Sequence, residues 1–233
     1  MKIAVIQHRL RGDAIEDASA LGAAAASAAA RGASLVVLPY VARLIAGDGE
    51  GERLLGDALS TVPALILVPR VEAESSALAL LAELPAPADG TDVLGTAALA
   101  IGDACFDSEQ IAVLAAGNPR IAVLSPESQT ELQAEAMLEY AIALSDSLSG
   151  VIAIAECAGG DSLEPGHGGS AIVVLGEVLA EAFGGDDVLL VDVPMPLPRP
   201  EPREPLPSVP PLLAQRLANH RGRLVAEHGP DLS

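Results

Sequence analysis

Cys105 is the residue of this sequence best placed to do chemistry. It follows the apolar run Thr96-Ala97-Ala98-Leu99-Ala100-Ile101 across a short Gly102-Asp103-Ala104 break and opens Cys105-Phe106-Asp107. That change of pattern predicts a sharp strand-to-helix turn, where an α/β hydrolytic enzyme holds a nucleophile. A thiol at a helix N-terminus has its thiolate stabilised, so the turn alone would activate Cys105 modestly. The carboxylates of Asp103 and Asp107 act the other way, since nearby negative charge raises a thiol pKa. Asp107 also suits the cap of the following helix. The plainer reading of a free cysteine is a small buried apolar residue.

Few other groups could assist. Glu156 and Cys157 follow the apolar run Val151 to Ala155, so they either line a pocket or begin a loop. Phe106 and Asp107 would share such a pocket. His167 lies in Gly166-His167-Gly168-Gly169, and a histidine in a glycine-rich loop is the best available base, although an exposed loop histidine has the same signature. Arg70, beside Pro69 at a predicted strand end, is a surface charge on this reading, because a guanidinium cannot shuttle protons. The histidines at 8, 167, 220 and 228 have no close spacing to either cysteine, so no metal site is expected. No cofactor is implied.

The elements that position these groups follow from periodicity. Lys2 to Gln7 reads as a buried strand, and Ala14 to Arg31 as a helix capped by Asp13 and ended by Gly32. Leu35 to Leu38, Ala64 to Val68 and Ala77 to Leu81 supply further strands, followed by a turn-rich loop over Leu84 to Asp92. Gly95 to Ile101 leads to the cysteine, Ser108 to Ala116 forms the next helix, and Ile121 to Leu124 the next strand. Thr130 to Leu148 has helical period, with Leu132, Met137, Ala141 and Leu144 near one face. Val151 to Ala155, Ser170 to Val174, Val178 to Ala182 and Val188 to Val193 close the set. Helices alternating with strands, then strands clustering, predict an α/β layered domain.

These segments taken together resemble the carbon–nitrogen hydrolase (nitrilase/amidase) superfamily. The resemblance runs from Met1-Lys2-Ile3-Ala4-Val5-Ile6-Gln7 through Leu35-Val36-Val37-Leu38-Pro39 and Cys105-Phe106-Asp107 to Gly168-Gly169-Ser170 and Gly176-Glu177. It implies a four-layered α-β-β-α sandwich over residues 1–193 and a homodimer. It also implies a glutamate base, a lysine and the cysteine nucleophile. The glutamate position, directly after Leu-Pro, holds Tyr40. Lys2, the only lysine, starts the first strand, so the family lysine has no counterpart. Only Cys105 remains of the three, as an actual or vestigial nucleophile.

Composition narrows the classes further. With 233 residues, half of them apolar, the chain fits one domain with a well-buried core. Its formal charge of −19 repels phosphate, so neither nucleic acid nor an anionic membrane surface is an expected partner. No apolar run approaches the roughly 20 residues that span a bilayer, and two cysteines without an export signal suit a cytoplasmic protein with reduced thiols. Four aromatic residues offer no stacking platform. Nine prolines between Pro194 and Pro211 predict an extended tether, and residues 212–233 a terminal helix or tail whose Leu212, Leu213, Leu217 and Leu224 form an apolar stripe. The functional expectation is a catalytically impaired superfamily protein serving as a binding or structural subunit, with a small molecule as its ligand. Its rival is a thiol-dependent amidase or nitrilase in which Cys105 works with a non-standard base.

Overall fold

The computed structural model describes residues 1–42, 44, 49–69, 80–83, 96–159, 166–194, 197 and 205–228. The expected loop over Leu84 to Asp92, Arg70 and the start of the strand expected from Ala77 lie outside these. Among the described residues are eleven strands and five α-helices. In chain order they are β1 (Lys2–Arg9), α1 (Ala14–Ala30), β2 (Leu35–Val37), α2 (Glu50–Leu59), β3 (Leu65–Leu67), β4 (Leu80–Glu83), β5 (Thr96–Ile101), α3 (Ser108–Ala116), β6 (Ile121–Ser125) and α4 (Glu131–Leu148). There follow β7 (Val151–Ile154), β8 (Cys157–Ala158), β9 (Ala171–Val174), β10 (Glu177–Glu181), β11 (Asp187–Asp192) and α5 (Pro211–His228).

The strands form two sheets. One runs β11-β1-β2-β3, with β8 pairing to the end of β1; the other runs β10-β9-β7-β6-β5-β4. The central pairs β1–β2, β2–β3, β5–β6 and β6–β7 are parallel, as strands joined through crossover helices must be.

Three separate apolar cores show how the layers stack. Side chains alternate along a strand, so in β1 Ile3 and Val5 face the second sheet while Ala4 and Ile6 face outward. The middle core packs Ile3, Val5, Leu35 and Val37 against Ile121, Val123, Val151 and Ile172. One outer core packs Ala4, Ile6, Val36 and Leu38 under Ala18, Leu21 and Ala25 of α1 and Leu55 of α2. The other packs Ala98, Ala100, Leu124 and Ile154 under Ile111 of α3 and Met137, Tyr140 and Leu144 of α4. Helix, sheet, sheet, helix is therefore the order, the four-layered sandwich that the family resemblance implied.

Local chemistry fixes the helix ends. Asp13 caps α1 through the amides of Ile15 and Glu16, Asp107 caps α3 through Glu109, and Thr130 caps α4 through Gln133. The alanine-rich α1 meets α2 closely at Gly22, where an added Cβ would lie 2.7 Å from the Ala58 Cβ. α5 opens on Pro211, whose missing N–H costs nothing at a first helical position. Its Leu213 is 1% exposed and joins the outer core beside Phe106. No helix among the described residues is long and apolar enough to cross a membrane.

Candidate active site at the Cys105 turn

The carboxyl ends of β2, β5, β6 and β7 converge, the place where open parallel sheets form crevices. β5 ends at Ile101 and the chain makes a single 3-10 turn over Gly102–Cys105 before Asp107 caps α3. The turn needs Gly102 at φ +56°, a left-handed conformation that suits glycine. An added Cβ there would meet Glu127 Oε2 at 2.9 Å, so the Glu127 carboxylate lies directly against the cysteine turn. Glu127 is itself left-handed, at φ +53°, and non-glycine residues in that region mark turns or strained sites.

The Cys105 side chain points into the outer core, not into an open crevice. It is 0% exposed, packs with Phe106, Met137 and Tyr140, and its Sγ donates to the Ala100 carbonyl at 3.3 Å. Burial pushes its pKa well above the usual thiol range, and the Glu156 and Glu127 carboxylates push it further; a backbone hydrogen bond from Ser125 and the Arg216 charge oppose them. Burial also raises Tyr140 to about 12, with Cys105 as a second cause. The expected activation by a helix N-terminus is thus overridden, because the turn inserts the thiol under α4 instead of exposing it at the α3 end. Asp103 and Asp107 are not the carboxylates responsible. Both are engaged by α5: the Arg216 and Arg221 guanidinium groups pair with Asp103 and Asp107, and His220 Nδ1 is hydrogen-bonded to Asp103.

Glu156 follows β7 and is 1% exposed. Its Oε1 accepts from the Ser128 amide at 2.9 Å, and its own amide donates to Ser170 Oγ at 3.0 Å. Burial raises its pKa to about 7; hydrogen bonds from Ser128 work against the shift, Glu127 adds to it and Arg216 subtracts. Ser170 is placed in turn by Gln7 of β1, whose Oε1 accepts from the amides of Gly169 and Ser170. Tyr40 enters the convergence through its backbone: its N–H donates to Ser125 Oγ at 3.1 Å and its carbonyl accepts from Cys157 Sγ at 3.4 Å. The Ser125 hydroxyl donates a hydrogen bond to Ala155 O at 2.7 Å. The structure thus gathers Cys105, Phe106, Asp107, Tyr40 and Glu156 around one end of the sandwich.

His167 is elsewhere. Its amide donates to Ser128 O, but its exposed side chain borders a separate cavity of about 340 Å³ with Glu131, Glu135, Glu181 and Phe183. It is not among the groups acting on Cys105. Among the described residues no cluster of three His, Cys, Asp or Glu has metal-binding geometry.

Two residues that sequence reasoning did not single out prove central. Glu127, with a left-handed backbone, brings its carboxylate against the Cys105 turn and acts on the thiol. Arg216 lies on α5, 89 residues further along the chain. Its Nη1 donates to Glu127 O at 3.1 Å and Gln133 Oε1 at 3.2 Å, its Nη2 to Pro126 O at 3.1 Å, and its Nε is 3.4 Å from Asp103 Oδ1. The same guanidinium sits 4.9 Å from the centroid of the Phe106 ring. A buried carboxyl near neutrality, a thiol and a guanidinium are thus assembled, but with the thiol shut away and protonated.

No protein-family model and no curated protein sequence matches the chain. Solved structures do. An amidase from Nesterenkonia sp. AN1 superposes with a TM-score of 0.67 at 15% identity, covering 97% of this chain and 99% of that one. A complex of an alanine variant of that amidase with butyramide gives a TM-score of 0.66 at 15% identity, covering 98% and 97%. A third structure, showing Michael addition of acrylamide at the amidase's active-site cysteine, gives 0.64 at 17% identity, covering 96% and 100%. The likeness covers 96% or more of this chain and 97% or more of each of those chains, so the fold is shared.

Proposed function

We propose that this chain, which has the carbon–nitrogen hydrolase fold of the nitrilase-superfamily amidases, is a catalytically impaired protein serving as a binding or structural subunit. The observation that carries this reading is the state of Cys105: wholly buried, donating its proton to a strand carbonyl, and pushed up in pKa by burial and two carboxylates. A nucleophile needs the thiolate and access to a carbonyl carbon, and this environment opposes both. Tyr40 replaces a carboxylate with a phenol whose ordinary pKa near 10 makes it a weak base at neutral pH. The expected assembly is a homodimer holding a small molecule, which light scattering tests directly.

One observation favours a second reading. Glu156, with a pKa of about 7, is tuned as a general base would be, and Arg216 supplies a cation, so a thiol amidase with a rebuilt base is its natural rival. Two measurements separate them. Native protein at neutral pH is expected to leave Cys105 unmodified by iodoacetamide until it is unfolded, and to turn over no aliphatic amides or nitriles. Hydrolysis that vanishes in Cys105→Ala would defeat the impaired reading; if it also vanished in Glu156→Gln, the rebuilt base would be identified.

A further inference from the structure

Arg216 is held as a ligand is held. Its guanidinium meets two peptide carbonyls, a side-chain amide, a carboxylate and an aromatic face, contributed by the β6–α4 segment and the cysteine turn. Consecutive carbonyls point to opposite sides of an extended chain; those of Pro126 and Glu127 face one guanidinium where Glu127 is left-handed. A planar fork of five donors fits such a cradle and an ammonium does not.

The helix that delivers Arg216 is thinly anchored. Of its thirteen residues from Pro211 to Arg223, ten are exposed, Leu213 alone is buried, and Arg216 and Leu217 are half-buried. Leu217 packs partly against the outer core, and two further contacts are made by exposed side chains, His220 to Asp103 and Arg221 to Asp107, whose α5 members are 48% and 60% exposed. Exposed ion pairs contribute little and weaken with salt. Displacing the described part of the helix therefore sacrifices one buried and one half-buried leucine and two exposed contacts, together with the Arg216 contacts that a guanidinium ligand would replace, while the cradle itself belongs to the sandwich.

We infer that the cradle of Asp103, Phe106, Pro126 O, Glu127 O and Gln133 is a binding site for small guanidinium compounds, filled in cis by Arg216 and yielded by α5 when such a compound competes. The inference names a ligand class for the binding role proposed above. It stands apart from the state of the thiol: amide turnover would sink that reading and leave this one intact.

Ethylguanidinium, which restores the atoms deleted in Arg216→Ala, is the probe, and ethylammonium at the same ionic strength is the control. Arg216→Ala is expected to melt below the full-length parent and to regain most of the loss in millimolar ethylguanidinium but not in ethylammonium. In the unmodified protein, ethylguanidinium is expected to speed amide exchange across residues 211–223 about threefold by competition, saturably, with the sandwich strands unaffected. Equal response to the two cations, or helix protection unchanged by ethylguanidinium, overturns the inference. The second measurement needs no variant, so a poorly folding Arg216→Ala would not shelter it.

Discussion

Burial has opposite consequences for the two acids beside the cysteine turn. For Cys105 it moves titration further from neutrality and silences the group; for Glu156 it moves titration into the neutral range, to about 7. That difference makes Glu156 a measurable reporter of the site. An acid whose folded pKa lies above its unfolded value of 4.5 favours the folded state when protonated. Its contribution is intact below about pH 4.5 and is lost as the pH rises through about 7, amounting to roughly 3 kcal/mol across that window. Glu156→Gln keeps the acceptor for the Ser128 amide and removes the titration. Urea unfolding at about pH 5 and about pH 8 should therefore show the variant gaining on the parent at the higher pH; a parallel pH dependence in the two proteins would mean that Glu156 titrates normally. At this scale the sequence made Cys105 legible, because an apolar run broken by glycine before a capping aspartate is a local pattern. Glu127 and Arg216 were not legible. One sits at a left-handed backbone position and the other on a helix that returns from the far end of the chain.

The turn that carries Cys105 is set by element geometry rather than by the cysteine. Gly102 adopts φ +56° and leaves room for the Glu127 carboxylate at the place where a side chain would begin. Gly102→Ala should cost about 1–3 kcal/mol through left-handed strain and displacement of that carboxylate. The loss should appear as a lower urea midpoint with an unchanged slope, and a midpoint within error of the parent would show that the turn relaxes freely. Strand and helix positions followed from apolar period and caps, as with Asp13 and Asp107, whose side chains accept from the first amides of α1 and α3. α2 escaped such reasoning: Gly49 stands at its cap without a side-chain hydrogen bond, and Gly51 and Gly56 interrupt it. Its formation rests on tertiary contact with α1, including the close approach at Gly22. β8, two residues long, exists through its pairing with the end of β1 and has no period of its own.

Charge is distributed unevenly over the whole molecule. The chain carries −19 overall, yet Arg216, Arg221 and Arg223 fall within α5, and two of them meet the acidic cysteine turn. Electrostatics therefore draws the terminal helix to the end of the sandwich where Cys105 lies, and Leu213 holds it there. Ending the chain after Leu197, which is 5% exposed in the middle core and so must be kept, removes the helix without opening the space between the sheets. Full burial of one leucine contributes roughly 1.5–3 kcal/mol, and each exposed ion pair at most about 1 kcal/mol. Ordering the helix costs part of that, so the net loss should be about 2 kcal/mol, a fall in Tm of roughly 4–8 °C for a chain of this size. Added salt screens the ion pairs but leaves the leucine contact, so the gap between full and shortened chains should narrow with salt without closing. A gap that closed completely would assign the docking of α5 to charge alone; no gap at any salt concentration would show that the helix adds nothing to the stability of the sandwich.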